Sequence, residues 1–211
     1  MRVHPHQRAV AGATFALLAA LVARAADPPG TPRANESLEV CSRAGATHDA
    51  DEKSRLAARG LALAEQAVAD DERDPKAHFA VFCNLGAQMK QRGVSVRSVV
   101  DVRRLRREID RTLELVPDWP DALVGKGSLL IELPGMLGGD PREGERLLRE
   151  ALRIDPDFLT ARVNLAHALA DRSARDEARD EANRAAVLAE RKGDRDAAEN
   201  VRALLVRLDA H

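Results

Sequence analysis

Residues 159–186 read LTARVNLAHALADRSARDEARDEANRAA, and this stretch decides the fold. Leu165, Ala166 and Leu169 place small and bulky apolar residues on one side of a first helical run, and Ala178 and Ala185 place two small residues on one side of a second. The same alternation spreads outward along the chain. Pro75, Pro117 and Pro156 punctuate it at intervals of 42 and 39 residues, each following one apolar helical stretch and preceding another. Self-similarity at such a period marks a stacked repeat architecture.

In the preceding unit Gly127, Leu130, Gly144, Leu148, Ala151 and Pro156 fill equivalent places, with Lys126 where a leucine is usual. Its register holds if five residues are inserted before Gly139. One unit earlier, FCNLGAQM supplies Phe82, Leu85, Gly86 and Met89, and a second helix carries Leu105, Ile109 and Leu113 on one face before Pro117. The stretch RGVSVRS between them is a further insertion. Residues 54–75, SRLAARGLALAEQAVADDERDP, match only the second helix of a first, irregular unit.

Composition agrees with this reading. The chain is 211 residues long and 45% hydrophobic, yet 2% aromatic and without tyrosine. Ala, Leu, Arg, Asp and Glu dominate, which favours helices packed through small and aliphatic side chains over β-structure. The length suits one domain with one core. Small residues at Gly86, Gly127, Ala166, Ala178 and Ala185 are expected to let helices approach closely. Each hairpin leaves an apolar face uncovered, so stacking is obligatory. The last segment, GDRDAAENVRALLVRLDA, sets Val201, Leu204, Leu205 and Leu208 against charges on the opposite side, as a helix closing the open end would.

Slot by slot, these units resemble the tetratricopeptide repeat, a helical hairpin of about 34 residues. The resemblance implies an all-α, right-handed superhelix of antiparallel hairpins, about three and a half repeats plus a C-terminal capping helix, over residues 36–211. The pairing of AHFAVFCNLGAQ with LPGMLGGDPREGERLLREALRIDPDF is similar to a narrower set: repeat proteins associated with TRAP-type transporters, and bacterial relatives of the regulators of microtubule dynamics. The transporter-associated proteins are typically lipoproteins, and the lipidated cysteine is lacking here.

Ligand contact in the superfamily mostly uses the inner face of the first helices. Carried over by slot, that face includes Asn84, Asp121, Ser128, Thr160, Asn164 and His167, with Val124, Ile131 and Val163 between them. Asn84 and Asn164 sit in equivalent NLG and NLA slots, where relatives use Asn to bond a bound peptide's backbone or carboxylate. Asn is also common in that slot irrespective of ligand.

Residues 1–25 read as an export leader. Arg2 and Arg8 precede an apolar run, AVAGATFALLAALVA, and Ala23-Arg24-Ala25 fits a small-x-small cleavage site. The run is short for an uncleaved anchor, since a spanning helix needs about 20 apolar residues. Residues 26–35 then read as a Pro-rich linker. Loss of the leader leaves 30 basic against 34 acidic residues, a net charge near −4, which speaks against nucleic acid and against anionic membrane surfaces. No direct membrane insertion is expected after cleavage, and the expected location is the periplasm or the exterior. Cys41 and Cys83 are a candidate disulfide in such a compartment; two separate buried thiols are the alternative.

The segment LPGMLGGD, Leu133 to Asp140, holds Pro134, Gly135, Gly138, Gly139 and Asp140 as loop candidates for ligand contact. A phosphate loop would follow a strand and carry a Lys-Ser/Thr pair; here a helix precedes it and no such pair follows. The plainer reading makes Pro134 a helix stop and Asp140-Pro141 the cap and first residue of the next helix. His48, His78, His167 and His211 show no metal spacing and read as ordinary surface or groove histidines. Arg97, Arg103, Arg104, Arg106, Arg107 and Arg111 read as a solvated helix face, or as an anion strip lacking aromatics to stack bases. No nucleophile context is recognisable and nothing calls for a cofactor or metal. The expected function is non-catalytic binding of a protein or peptide in the concave groove, with accessory service to a TRAP-type membrane transporter as the alternative. A closed apolar cavity at the PGMLGG loop would favour the transporter role, and an open groove with Asn and charged groups would favour binding.

Overall fold

A computed structural model of the chain describes residues 27–92 and 96–210. The expected leader lies outside them. Among the described residues there are nine α-helices and no strand: α1 (Pro32–Ala46), α2 (Ala50–Asp70), α3 (Pro75–Arg92), α4 (Val96–Leu115), α5 (Pro120–Glu132), α6 (Pro141–Ile154), α7 (Leu159–Asp171), α8 (Arg175–Lys192) and α9 (Arg195–Asp209). Successive helices pack as hairpins, and first helices lie beside first helices, α1 against α3, α5 against α7, and α7 against α9.

Prolines open helices where their missing N–H costs nothing: Pro32, Pro75, Pro120 and Pro141 are each a first helical residue. Side-chain caps hold the starts of α1, α2 and α9. Thr31 accepts from Ala34 N, Asp49 from Glu52 N, and Asp194 from Ala197 N. Pro117 and Pro156 stand in the short turns after α4 and α6.

Two expectations change at the N-terminal end. The array has four full hairpins rather than three and a half, because α1 supplies a first helix to α2. The expected linker, 26–35, is partly helix from Pro32 onward and is tied down before that. Thr31 N–H donates to Asp74 Oδ2 at 2.7 Å, Asn35 Nδ2 to the Gly30 carbonyl at 3.1 Å, and Lys76 Nζ reaches Asp27 Oδ2 at 2.5 Å. The Asp74 and Lys76 contacts are with α3 and its preceding turn, which makes residues 27–31 part of the domain.

Packing differs between the two halves. From α5 to α9 one continuous cluster of buried residues runs from Leu123 to Leu208, with Leu148, Leu165, Leu169 and Val201 at its centre. Gly127 and Gly144 let α5 and α6 touch backbone to backbone: a Cβ on Gly127 would come 2.9 Å from the Gly144 carbonyl oxygen, and one on Gly144 would come 2.7 Å from the Gly127 carbonyl oxygen. Gly86 has no such role. A Cβ there would meet only Leu105, at an ordinary 3.9 Å, so the expected small slot is not needed between α3 and α4.

Between α3/α4 and α5 the contact is aromatic. Phe79 and Phe82 of α3 pack with Trp119 and Ala122 against Ile109 of α4, with the Phe79 ring 4.6 Å from the Trp119 ring and 5.9 Å from that of Phe82. Gly125 makes room on α5, since a Cβ there would lie 2.8 Å from Phe82. Most of the few aromatic residues are thus spent on one junction.

The N-terminal hairpins are joined through small residues and two cross-links. Cys41 of α1 and Cys83 of α3 form a disulfide with a Cα–Cα distance of 6.3 Å. One residue along, Asn84 donates to Ser37 Oγ at 3.1 Å and to the Ala80 carbonyl at 2.9 Å, while Ser37 Oγ donates to the Gly60 carbonyl of α2 at 2.7 Å. Gly60 is required here, because a Cβ on it would strike the Asn84 carboxamide.

Candidate functional site

The first helices α5, α7 and α9 lie side by side, and three of the expected groove residues meet along them. On α7, Thr160, Asn164 and His167 recur at helical spacing and share one side. Asn164 Nδ2 donates to Ser128 Oγ of α5 at 2.8 Å, and His167 Nε2 lies 2.7 Å from Asn200 Oδ1 of α9. Ser128, Asn164 and His167 are half-buried and Thr160 is exposed. Lys90 of α3 and Glu132 of α5 extend the polar strip with an exposed ion pair at 3.2 Å. Asn200 was not legible as part of this strip, because it belongs to the capping helix, which carries no repeat slots.

Asn84 does not join the strip. It is wholly buried, bonded to Ser37 and Ala80, and its Oδ1 is packed against Gly60 without a hydrogen-bond partner. The slot that faces a ligand in the carried-over pattern here faces α1 and α2, so Asn84 is a structural residue. Val124 and Val163 are likewise buried. Asp121 lies in the first turn of α5, two turns before Ser128 on the same helix face, beside a small cavity at the helix starts.

The Leu133–Asp140 insertion is a compact, tethered turn. Gly135–Leu137 make one 3₁₀ turn, Gly138 is left-handed at φ 84°, and Gly139 N–H donates to the Pro134 carbonyl at 3.1 Å. Asp140 N–H returns to the Leu130 carbonyl at 2.9 Å, and the Asp140 carboxylate caps α6 through Arg142 N and Glu143 N. Arg106 of α4 holds the turn from outside, with Nη1 3.4 Å and 3.3 Å from the Leu137 and Gly138 carbonyls. Gly139 has no room for a side chain, since its Cβ would meet the Leu133 carbonyl oxygen. Gly139 and Asp140, with Pro141, Arg142, Glu145 and Arg172, line an open cleft of about 750 Å³. Its charges are partly matched, Arg172 Nε lying 2.6 Å from Glu145 Oε1. Pro134, Gly135 and Gly138 do not line it.

The arginine-rich face of α4 divides. Arg104 pairs with Glu65 at 2.7 Å, Arg111 with Glu114 at 3.1 Å, and Arg106 serves the insertion, while Arg103 and Arg107 are exposed. Glu108 turns inward instead, to a histidine expected at the surface. His78 is 7% exposed, with Nδ1 2.7 Å from Glu108 Oε2 and Nε2 3.0 Å from the Glu72 carbonyl oxygen. Neither partner can donate, so both contacts are hydrogen bonds only when both ring nitrogens carry protons. Burial opposes that charge, but the Glu108 and Glu72 bonds and the Glu108 charge prevail and raise the His78 pKa.

The backbone course has a counterpart among solved proteins. TTC0263, a thermophilic TPR protein from Thermus thermophilus, matches over 82% of this chain and 99% of its own, with a TM-score of 0.58 at 16% identity. The fold is that of tetratricopeptide-repeat proteins. Two further similar structures are YrrB, described as a TPR protein with an unusual peptide-binding site (85% of this chain, 86% of its own, 15% identity, TM-score 0.49), and MamA from Desulfovibrio magneticus RS-1 (86%, 98%, 14%, 0.48). No family model and no curated protein sequence matches the chain. Among the described residues no helix is long and apolar enough to cross a membrane, and no three or more His, Cys, Asp or Glu residues are grouped to hold a metal ion.

Proposed function

We propose that the protein is an exported, non-catalytic helical-repeat scaffold that binds a protein or peptide along the side of α5, α7 and α9 that carries the polar strip. The observation that carries this reading is the pairing of Ser128 with Asn164 and of His167 with Asn200 across neighbouring helices. Amides, a hydroxyl and an imidazole can each exchange a partner within the strip for a group on an extended peptide backbone. Such an exchange trades one hydrogen bond for another and costs little. The stacked hairpins hold these groups at fixed spacing, so recognition needs little ordering of the scaffold.

Export is supported by the leader-like N-terminal sequence and by the Cys41–Cys83 disulfide, a bond that persists in oxidising compartments. The cleft at the Leu133–Asp140 turn is open and lined by Arg142, Glu145 and Arg172. That lining favours binding over the handling of a small solute for a TRAP-type transporter, which would call for an enclosed apolar cavity.

A photo-crosslinking amino acid placed at Thr160, exposed on the proposed side, is expected to capture partners from the native compartment. The same group at Val187, exposed on α8, is expected to capture few. Equal or reversed capture would overturn the assignment of the binding side.

A further inference from the structure

His78 sits where α3, α4 and the turn that leads into α3 meet, and its ring is wedged between two groups that can only accept. Nδ1 lies 2.7 Å from Glu108 Oε2 of α4, and Nε2 lies 3.0 Å from the Glu72 carbonyl oxygen. A neutral imidazole has one N–H, so one nitrogen must then turn a lone pair toward an oxygen. The residue is 7% exposed, so bulk water does not absorb that mismatch. Only the imidazolium satisfies both sides.

The surroundings decide which contact gives way when the proton leaves. On α4, Glu108 favours the ring's charge and Arg111 opposes it. The second Glu108 oxygen lies 4.0 Å from Arg104 Nε, and Arg104 pairs with Glu65 of α2 at 2.7 Å, so the carboxylate is held from behind. On α3 itself Lys76 Nζ is engaged by Asp27 and Asn35. In the turn, Asp71 Oδ1 accepts from Arg73 N, and Asp71, Glu72 and Arg73 are exposed. The remaining ring proton stays with the carboxylate, because a charge-assisted hydrogen bond is the stronger. The Glu72 carbonyl, on an exposed turn, is the partner that is lost.

That turn fastens the N-terminal segment. Asp74, buried two residues after Glu72, accepts from Lys76 N at 2.8 Å and Ala77 N at 3.2 Å through Oδ1, and from Thr31 N at 2.7 Å through Oδ2. It therefore caps α3 and pins the capping residue of α1 with one carboxylate. Beneath this attachment Ala34, Ala67 and Ala77 form a small buried cluster between α1, α2 and α3. Cys41, two turns beyond Ala34, is bonded to Cys83 of α3. The disulfide keeps α1 tethered even when its start lifts.

We infer that His78 is a proton-operated latch: the imidazolium holds the Glu72 carbonyl and with it the turn that fastens Thr31, whereas the neutral ring lets the turn open and releases residues 27–31 and the start of α1. The latch is closed below the folded pKa of the ring, which lies above the ordinary value of 6.5, and it opens as pH rises through that folded value. The step is loss of one proton to solvent and needs no other reactant. Opening uncovers the Ala34–Ala67–Ala77 contact at the first hairpin and is reversible, since the disulfide preserves the register of α1 on α3. It takes place away from α5, α7 and α9 and does not depend on peptide binding there.

The test is NMR of the ¹⁵N-labelled, disulfide-bonded chain from about pH 6 to about pH 10, a range that brackets a raised histidine. It follows the His78 ring and the exchange of the Thr31, Lys76 and Ala77 amides, corrected for intrinsic rates. In the wild type these amides should exchange about tenfold faster in step with deprotonation of the ring, the equivalent of one buried hydrogen bond, while those of α7 stay unchanged. Glu108→Gln offers a carboxamide that donates to a neutral Nδ1, so the ring keeps its proton on Nε2 for Glu72; the step should vanish although His78 still titrates. His78→Gln should also show no step, and it carries the comparison on its own if the Glu108 variant does not fold. Exchange that is flat while the wild-type ring titrates, or a step that persists in either variant, overturns the inference. So does a ring already neutral at the lowest pH or protonated until the whole chain unfolds.

Discussion

Removing the Cys41–Cys83 disulfide is expected to loosen the N-terminal hairpin by an amount that chain statistics set. The bridge spans 42 residues, and closing a loop of that length in the unfolded chain corresponds to about 4 kcal/mol at 25 °C. The remaining attachments of α1 are modest. Ala34, Val40 and Ala44 are its buried aliphatic residues, and the polar links run through Ser37, Asn84 and the Thr31–Asp74 bond. With a urea dependence of about 2–3 kcal/mol per molar, the Cys41→Ala/Cys83→Ala chain should unfold at about 1.5 M lower urea than the oxidised wild type. Because α1 ends the array, its amides should also exchange faster in the double variant while those of α7 and α8 keep their protection. Circular dichroism and hydrogen exchange read the two effects. A shift below about 0.5 M with unchanged α1 protection would refute the view that the bridge clamps α1 to α3.

Other perturbations follow from single contacts. Gly127→Ala should destabilise by about 1–3 kcal/mol by forcing α5 from α6, whereas Gly86→Ala should be neutral or stabilising by up to about 1 kcal/mol; thermal melts of the two variants in the opposite order would contradict the packing described. The folded pKa of His78 is raised, so its contribution to stability is fully present below the unfolded value of about 6.5 and declines as pH rises through the folded one. Urea midpoints across that window should therefore fall more steeply for wild type than for His78→Gln, and parallel curves would rule out the Glu108 pairing. Asn84→Ala should cost about 1–3 kcal/mol by stripping Ser37 of a partner and leave partner capture from Thr160 intact. Asn164→Ala should leave stability nearly unchanged and weaken that capture, and an interchange of these two outcomes would reverse the roles assigned to the asparagines.

The C-terminal half of the fold was legible because its repeat slots carry unambiguous residues: Leu165, Ala166, Ala178 and Ala185 fall in register without a gap, and Gly127 faces Gly144 as close approach requires. Helix α1 was not legible as a full repeat helix with its own start and slots, since its buried positions are Ala34, Ser37, Val40, Cys41 and Ala44 after a run of prolines, and small or polar residues give little periodic signal. Which groove candidates lie side by side was readable only where the slot determines the surroundings. Ser128, Asn164 and His167 do lie together, but Asn84 faces Ser37 from 47 residues away and is sealed by Gly60, a contact no repeat pattern encodes. His78 and Glu108 escaped for the same reason: they come from separate helices that only the assembled solenoid brings within reach.

The most direct test of the proposed peptide binding is residue-resolved NMR of the ¹⁵N-labelled chain titrated with peptides selected against it from a random library. The expected result is a saturable set of shifts concentrated at Ser128, Asn164, His167 and Asn200, with Thr160 beside them. Shifts confined to α8 around Val187, or a library that yields no binding peptide, would contradict it.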